Sequence, residues 1–139
     1  MRKTHGILNP QLSRVVSETG HTDTLVVTDA GLPIPPAVER VDLAYFPSEP
    51  PFLAVLDAVL AEVVIEGATL AEEIREASPA MLSRILERLN AAGVVPDFVP
   101  HTEFKARTAS ARAAVRSGEF TPYANIILHA GVAYGPDET

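Results

Sequence analysis

The segment Thr19–Pro35, TGHTDTLVVTDAGLPIP, constrains this chain more than any other. At its centre Leu25-Val26-Val27 is short, apolar and rich in β-branched residues, and it is bounded by polar residues, glycine and proline. That pattern reads as a buried strand. The loop that follows, Gly31-Leu32-Pro33-Ile34-Pro35-Pro36, cannot continue a regular element, because its prolines remove donors and fix φ. A rigid loop at the carboxyl end of a buried strand is where open α/β sheets place their ligands. His21 stands just before the strand and Asp29 just after it, so each mouth of the strand carries an ionisable group.

The rest of the chain supplies partners for that strand. Asn9-Pro10 predicts a helix start, with Asn9 as cap and Pro10 in the first turn. Leu12, Val15 and Val16 then share one side of a helix expected to stop at Gly20. Val41 to Tyr45 reads as a second strand, and Pro50-Pro51 opens a helix with Phe52, Val55, Leu56, Val59 and Leu60 on one face. Val63 to Ile65 reads as a third strand, with Glu66 and Gly67 at its end. Ser78-Pro79 opens the clearest helix by the same cap-plus-proline logic, and Gly93 ends it. Its stripe of Met81, Leu82, Ile85, Leu86 and Leu89 could contribute roughly 8–15 kcal/mol as an upper bound. Pro96 to Val99 reads as a short fourth strand, Thr102 to about Arg116 as helical, and Asn125 to Leu128 as a final strand. Alternating strands and helices predict an α/β fold of three layers, a largely parallel central sheet flanked by helices. The 139 residues are expected to form a single domain, with a frayed tail from Gly135 to Thr139.

Composition removes whole classes of function. A formal charge of -7 offers no basic footprint for nucleic acid or an anionic membrane. The chain has no cysteine, so disulfides, thiolate chemistry and cysteine-zinc sites are excluded. The opening Met1-Arg2-Lys3-Thr4-His5-Gly6 lacks the apolar core of a signal peptide, and Asp57 and Glu62 break the greasiest region. A cytoplasmic protein is the expectation. No glycine-rich phosphate loop, nucleophile elbow or histidine pair at metal spacing occurs.

Few groups remain that could carry chemistry. His21 reads either as a surface or capping residue or as an acid/base, with Asp23 placed to orient the ring and raise its basicity. Asp29 reads either as a turn former bonding to the following amides or as a ligand-binding carboxylate. His101 and Lys105, spaced i, i+4, share a helix face and are either a solvated pair or part of a site. Tyr123 and Asn125 would point the same way in an extended segment, and their phenol and carboxamide suit sugar hydroxyls. The bland alternative is an ordinary strand entrance. Arg116-Ser117-Gly118-Glu119, just before, looks like a tight turn. The chemistry such residues could support is cofactor-free proton transfer on a small polar substrate.

The segments LNPQLSRVVSETGHTDTLVVTDAGLPIP, HTEFK, RSGE and TPYANIILHAGV closely resemble the D-ribose pyranase family, relatives of the L-fucose mutarotases. The likeness runs from about Gly6 to Tyr134. Thr22, Gly31, the Pro33-Ile34-Pro35 loop and Ala124 favour the ribose branch over the fucose branch. The resemblance implies that His21 is the catalytic acid, that Asp29, His101, Tyr123 and Asn125 bind the sugar, and that Lys105 is a further contact. It also implies interconversion of the β-pyranose and β-furanose forms of D-ribose, no cofactor, no metal, and a ring-based homo-oligomer, decamer or octamer. His5 and His129 lie where members of the family carry other residues, so neither is a good catalytic candidate. The rivals are an L-fucose-type anomer mutarotase and a non-catalytic sugar-binding module.

One geometric difficulty follows. A straight strand from His21 to Asp29 would separate their α-carbons by about 26 Å, far more than a pentose spans. Either the chain bends around Thr22 to Thr24, or one site takes its two ends from neighbouring subunits. The second is the favoured expectation.

Overall fold

The structure is a computed structural model and describes residues 1–137. Helix α1 (Pro10–Glu18) begins as the sequence predicts: the Asn9 side chain accepts the Leu12 N–H at 2.9 Å, and Pro10 sits in the first turn. The helix stops at Thr19, whose hydroxyl donates to the Val15 carbonyl. Strand β1 (Thr24–Thr28) is buried along Leu25, Val26 and Val27. Strand β2 (Glu39–Asp42) lies earlier than Val41–Tyr45, because the Asp42 carboxylate takes the Ala44 N–H and turns the chain out of the ladder. Helix α2 (Phe52–Leu60) buries Phe52, Val55, Leu56 and Val59 as expected.

Strand β3 (Ile65–Ala71) is longer than the expected Val63–Ile65. Gly67 had the look of a terminator but marks a bulge, where the register shifts between Ile65 and Gly67. A Cβ at Gly67 would stand 3.5 Å from the His129 ring, an ordinary contact distance, so the ring lies beside the bulge. The short helix α3 (Ile74–Ala77) leads into α4 (Pro79–Ala91). Ser78 makes no cap bond; its hydroxyl donates to the Pro122 carbonyl instead. The α4 stripe is narrower than expected, with Ile85 and Leu89 fully buried, Met81 and Leu82 packed at the margin and Leu86 exposed.

After β4 (Asp97–Val99), helix α5 covers only His101–Arg107, followed by a single 3₁₀ turn at Thr108–Ser110. The expected helix through Arg116 is wrong: Ala113–Arg116 is strand β5. Alanine favours helix by intrinsic propensity, and a strand covered on both faces shows no polar alternation to betray it. Ala113 and Val115 face one core cluster and Ala114 the other, with all three buried. Strand β6 (Ile126–Ala130) completes the set.

The sheet has six strands in the order β2-β5-β1-β6-β3-β4. β2, β5 and β1 are parallel to one another, as are β3 and β4, while β6 runs antiparallel to both its neighbours. The sheet is thus mostly parallel, with β6 alone reversed. One face is covered by α1, α2 and α4. The other carries a thinner layer, built from Phe104 of α5 and from Leu32 and Val38 of the proline loop. This topology sorts the candidate residues. The carboxyl ends of the five like-directed strands and the start of β6 share one edge, and the opposite ends share the other.

Candidate active site

The carboxyl edge gathers most of the polar candidates. Asp29 follows β1, and its Oδ1 accepts the N–H groups of Gly31 (3.0 Å) and Leu32 (2.8 Å), which folds the start of the proline loop around it. The turn-forming reading of Asp29 is therefore correct for one oxygen. The other, Oδ2, accepts Asn125 Nδ2 at 3.1 Å, while Asn125 Oδ1 accepts the Asp29 N–H at 2.8 Å. Asn125 is 1% exposed, so this reciprocal pair welds the end of β1 to the start of β6.

Tyr123 does not sit in an extended segment. Its φ is 62°, and its carbonyl accepts the Asn125 N–H at 2.9 Å, so the two side chains do not share a direction as strand neighbours would. The turn instead sets the phenol edge-on against His101, with ring centroids 5.0 Å apart and planes at 86°. His101 opens α5 directly after β4, and the Glu73 carboxylate accepts its N–H at 3.0 and 3.1 Å. Its ring also stacks on Phe104 at 6.2 Å. The buried Nδ1 of His101 has no hydrogen-bond partner among the described residues. Buried polar atoms are nearly always paired, so this nitrogen is the unusual feature of the edge. Lys105 stands one turn further along α5 and is exposed, as the i, i+4 spacing predicts.

Several supports were not visible in the sequence. Arg116 ends β5 and no turn forms over Ser117 to Glu119, contrary to the tight-turn reading. The Glu119 carbonyl accepts the Ala30 N–H, and its carboxylate accepts the Phe52 N–H and the Thr121 hydroxyl. Arg116 Nε donates to the Ala30 carbonyl, and its guanidinium pairs with Asp42 at 3.1 Å. Gly118 lies so close to the Glu49 backbone that a Cβ would fall 2.3 Å from its carbonyl oxygen. A hollow of about 440 Å³ opens beside this scaffold, lined by Asp29, Ala30, Gly31, Arg116, Glu119 and Phe120. Most of these contacts join residues more than sixty positions apart, so no local pattern signals them.

His21 lies at the opposite edge. It occupies a turn in which the Asp23 N–H reaches the Gly20 carbonyl, and Thr22 has φ 73° with its N–H on the Ala130 carbonyl. The chain therefore does bend at Thr22, but the bend leaves His21 and Asp29 at opposite ends of β1. Asp23 does not orient the imidazole, contrary to expectation. Its Oδ2 accepts the Gly20 N–H and Arg112 Nε, both at 2.8 Å, and these bonds, the Gly20 amide first, hold its carboxyl below the usual range. The partner of His21 Nε2 is Glu66 Oε2 at 3.1 Å, across the bulge of β3. Both side chains are about half-exposed. His129, nearby, bonds Thr69 Oγ1 at 3.0 Å, and that hydroxyl donates to Asp97 Oδ1 at 2.6 Å. Among the described residues no three His, Asp or Glu side chains stand close enough to share a metal ion, and no helix is long and apolar enough to cross a membrane.

Comparison with known proteins matches this arrangement to one family. The model described as the RbsD / FucU transport protein family covers residues 2–133. D-ribose pyranase of Geobacillus kaustophilus is 50% identical over 132 residues, covering 95% of this chain and 96% of its own length. D-ribose pyranase of Chromobacterium violaceum is 49% identical over 132 residues, covering 95% and 99%. The structure of Bacillus subtilis RbsD complexed with D-ribose superposes with a TM-score of 0.90 at 38% identity, covering 96% of this chain and 100% of that one. The fucose mutarotase of Streptococcus pneumoniae, in complex with L-fucose, shares the fold at a TM-score of 0.78 and 23% identity, covering 91% and 95%. By its sequence along nearly its whole length and by its superposition on RbsD, the chain belongs to the RbsD / FucU transport protein family.

Proposed function

We propose that this protein is a D-ribose pyranase, interconverting the β-pyranose and β-furanose forms of D-ribose without a cofactor. The observation that carries the reading is the 50% identity to a D-ribose pyranase across 95% of the chain, joined to a polar edge fit for a small polyol. The fucose reading has less support, since the fucose mutarotase of Streptococcus pneumoniae is only 23% identical.

The chemistry follows from the groups present. Opening the pyranose breaks the bond from C1 to the ring oxygen, which gains a proton while the anomeric hydroxyl gives one up. Closing the furanose forms the bond from C1 to the 4-hydroxyl, which loses its proton as the carbonyl oxygen regains one. An imidazole can both give and take a proton and so serves both directions, at about 10²–10⁴ in rate. In this reading His21 protonates the ring oxygen. Asp29, His101, Tyr123 and Asn125 hold the hydroxyls, with Lys105 at the rim. The unpartnered Nδ1 of His101 supports a role in hydrogen bonding a ligand.

The separation of His21 from those residues supports a site completed between subunits, in which one chain lends its His21 edge to the carboxyl edge of its neighbour. A head-to-tail contact of this kind generates a ring when its rotation closes. The ring-shaped oligomer, decamer or octamer, and a cytoplasmic location belong to the same proposal.

The test is exchange-sensitive NMR on D-ribose and L-fucose with wild-type protein, His21→Ala and Tyr123→Phe. Wild type should exchange ribose forms, and His21→Ala should not; ribose exchange by His21→Ala at the wild-type rate refutes the assignment. Random co-assembly of His21→Ala with an inactive carboxyl-edge variant should restore about a quarter of the sites, because the two edges come from different chains. No restoration in mixed assemblies refutes the shared site.

A further inference from the structure

We infer that Glu66 is a positioning residue for His21, and that the nitrogen which exchanges protons with the sugar is Nδ1. This rests on the reading of His21 as the acid, and adds to it the group that holds the ring and the identity of the working atom.

Three observations carry the inference. First, Glu66 Oε2 lies 3.1 Å from His21 Nε2, whereas the nearer carboxylate in sequence, Asp23, is engaged by the Gly20 amide and Arg112. A carboxylate only accepts, so the pairing requires the proton on Nε2 and leaves Nδ1 as the nitrogen that can take and release one. Second, Glu66 reaches the ring from a bulge, a device that re-aims side chains next to active sites. Third, that bulge is braced from behind. Gly67 faces the His129 ring, which a Cβ there would meet at an ordinary contact distance of 3.5 Å. His129 is in turn fixed: Thr69 spends its only proton on Asp97, so it can only accept from His129 Nε2–H. The His129-Thr69-Asp97 chain thus fixes the ring against which β3 bends, and so the direction of Glu66.

An exposed ion pair by itself is worth little, and both partners are half-exposed here. The pairing matters because it chooses a tautomer and a ring direction. If a neighbouring chain covers the edge, water is displaced from the pair as well.

The experiment compares wild type, Glu66→Gln and His21→Ala on assembled protein, by proton NMR of ¹⁵N-histidine-labelled samples and by ribose exchange kinetics. Wild type should show a downfield, slowly exchanging Nε2–H resonance that disappears in His21→Ala and is lost or moved upfield in Glu66→Gln. The kcat of Glu66→Gln should fall roughly tenfold with KM unchanged, part of the 10²–10⁴ a placed acid contributes. A residue that only held the fold would move KM or the melting temperature instead. An unchanged His21 resonance and unchanged kcat in Glu66→Gln would overturn the inference while leaving His21 as the acid. Full activity in His21→Ala would remove the reading beneath it.

Discussion

Replacing Asn125 by alanine removes one side chain and cuts both of its bonds to Asp29, which supplement the β1–β6 ladder at the carboxyl edge. The Asp29 N–H loses its acceptor at 2.8 Å, and Asp29 Oδ2 loses its donor at 3.1 Å. A neutral bond contributes about 0.5–1.5 kcal/mol and one to a charged group about 1.5–3 kcal/mol. Asp29 is only partly buried, so water recovers some of the second term, and a loss of about 2–3 kcal/mol is expected. Urea unfolding at one fixed protein concentration measures it, because association would otherwise shift the midpoint. A double-mutant cycle with Asp29→Ala isolates the side-chain bond, since the backbone N–H survives that substitution. The coupling should be about 1–2 kcal/mol. A loss under about 0.5 kcal/mol for Asn125→Ala, or a coupling near zero, would mean that the pair does not hold the edge together.

Gly118→Ala places a Cβ 2.3 Å from the Glu49 carbonyl, a clash with backbone that cannot turn aside, so it should destabilise by at least about 2 kcal/mol in thermal melts. Ser78→Ala frees the Pro122 carbonyl and so loosens the turn that carries Tyr123; we expect about 1 kcal/mol in stability and a raised KM for ribose. Asp23 has its folded-state pKa lowered by the Gly20 amide and Arg112, so its stabilisation is complete above the ordinary carboxylate value of about 3.9 and is lost as pH falls through the lowered one. The melting temperature of wild type should therefore exceed that of Asp23→Ala at neutral pH, and the gap should close in strong acid. A gap that stays constant down to pH about 2 would refute the role given to that carboxylate.

Much of this protein is written locally. The Asn9-Pro10 start, the Phe52 helix face and the buried Leu25–Val27 run each follow from rules acting over a few residues, and each forms as read. So does the motif likeness that points to the family, since it needs only the order of residues. What failed was whatever depends on the other side of the molecule. Ala113-Ala114-Val115 is a strand only because β2 and β1 flank it and both faces are covered, which overrides the helical preference of alanine. Gly67 is a bulge and not an end because β6 waits beyond it with His129. The same holds for the candidate site. Sequence alone picked out His21, Asp29, His101, Tyr123 and Asn125, since unusual polar residues at strand ends stand out in a line of text. Only the fold decided that Asn125 locks onto Asp29, that Glu66 rather than Asp23 faces His21, and that His21 lies on the far edge of the sheet. Hydrogen bonds and registers between distant strands have no period along the chain, and so they become legible only when the chain is folded.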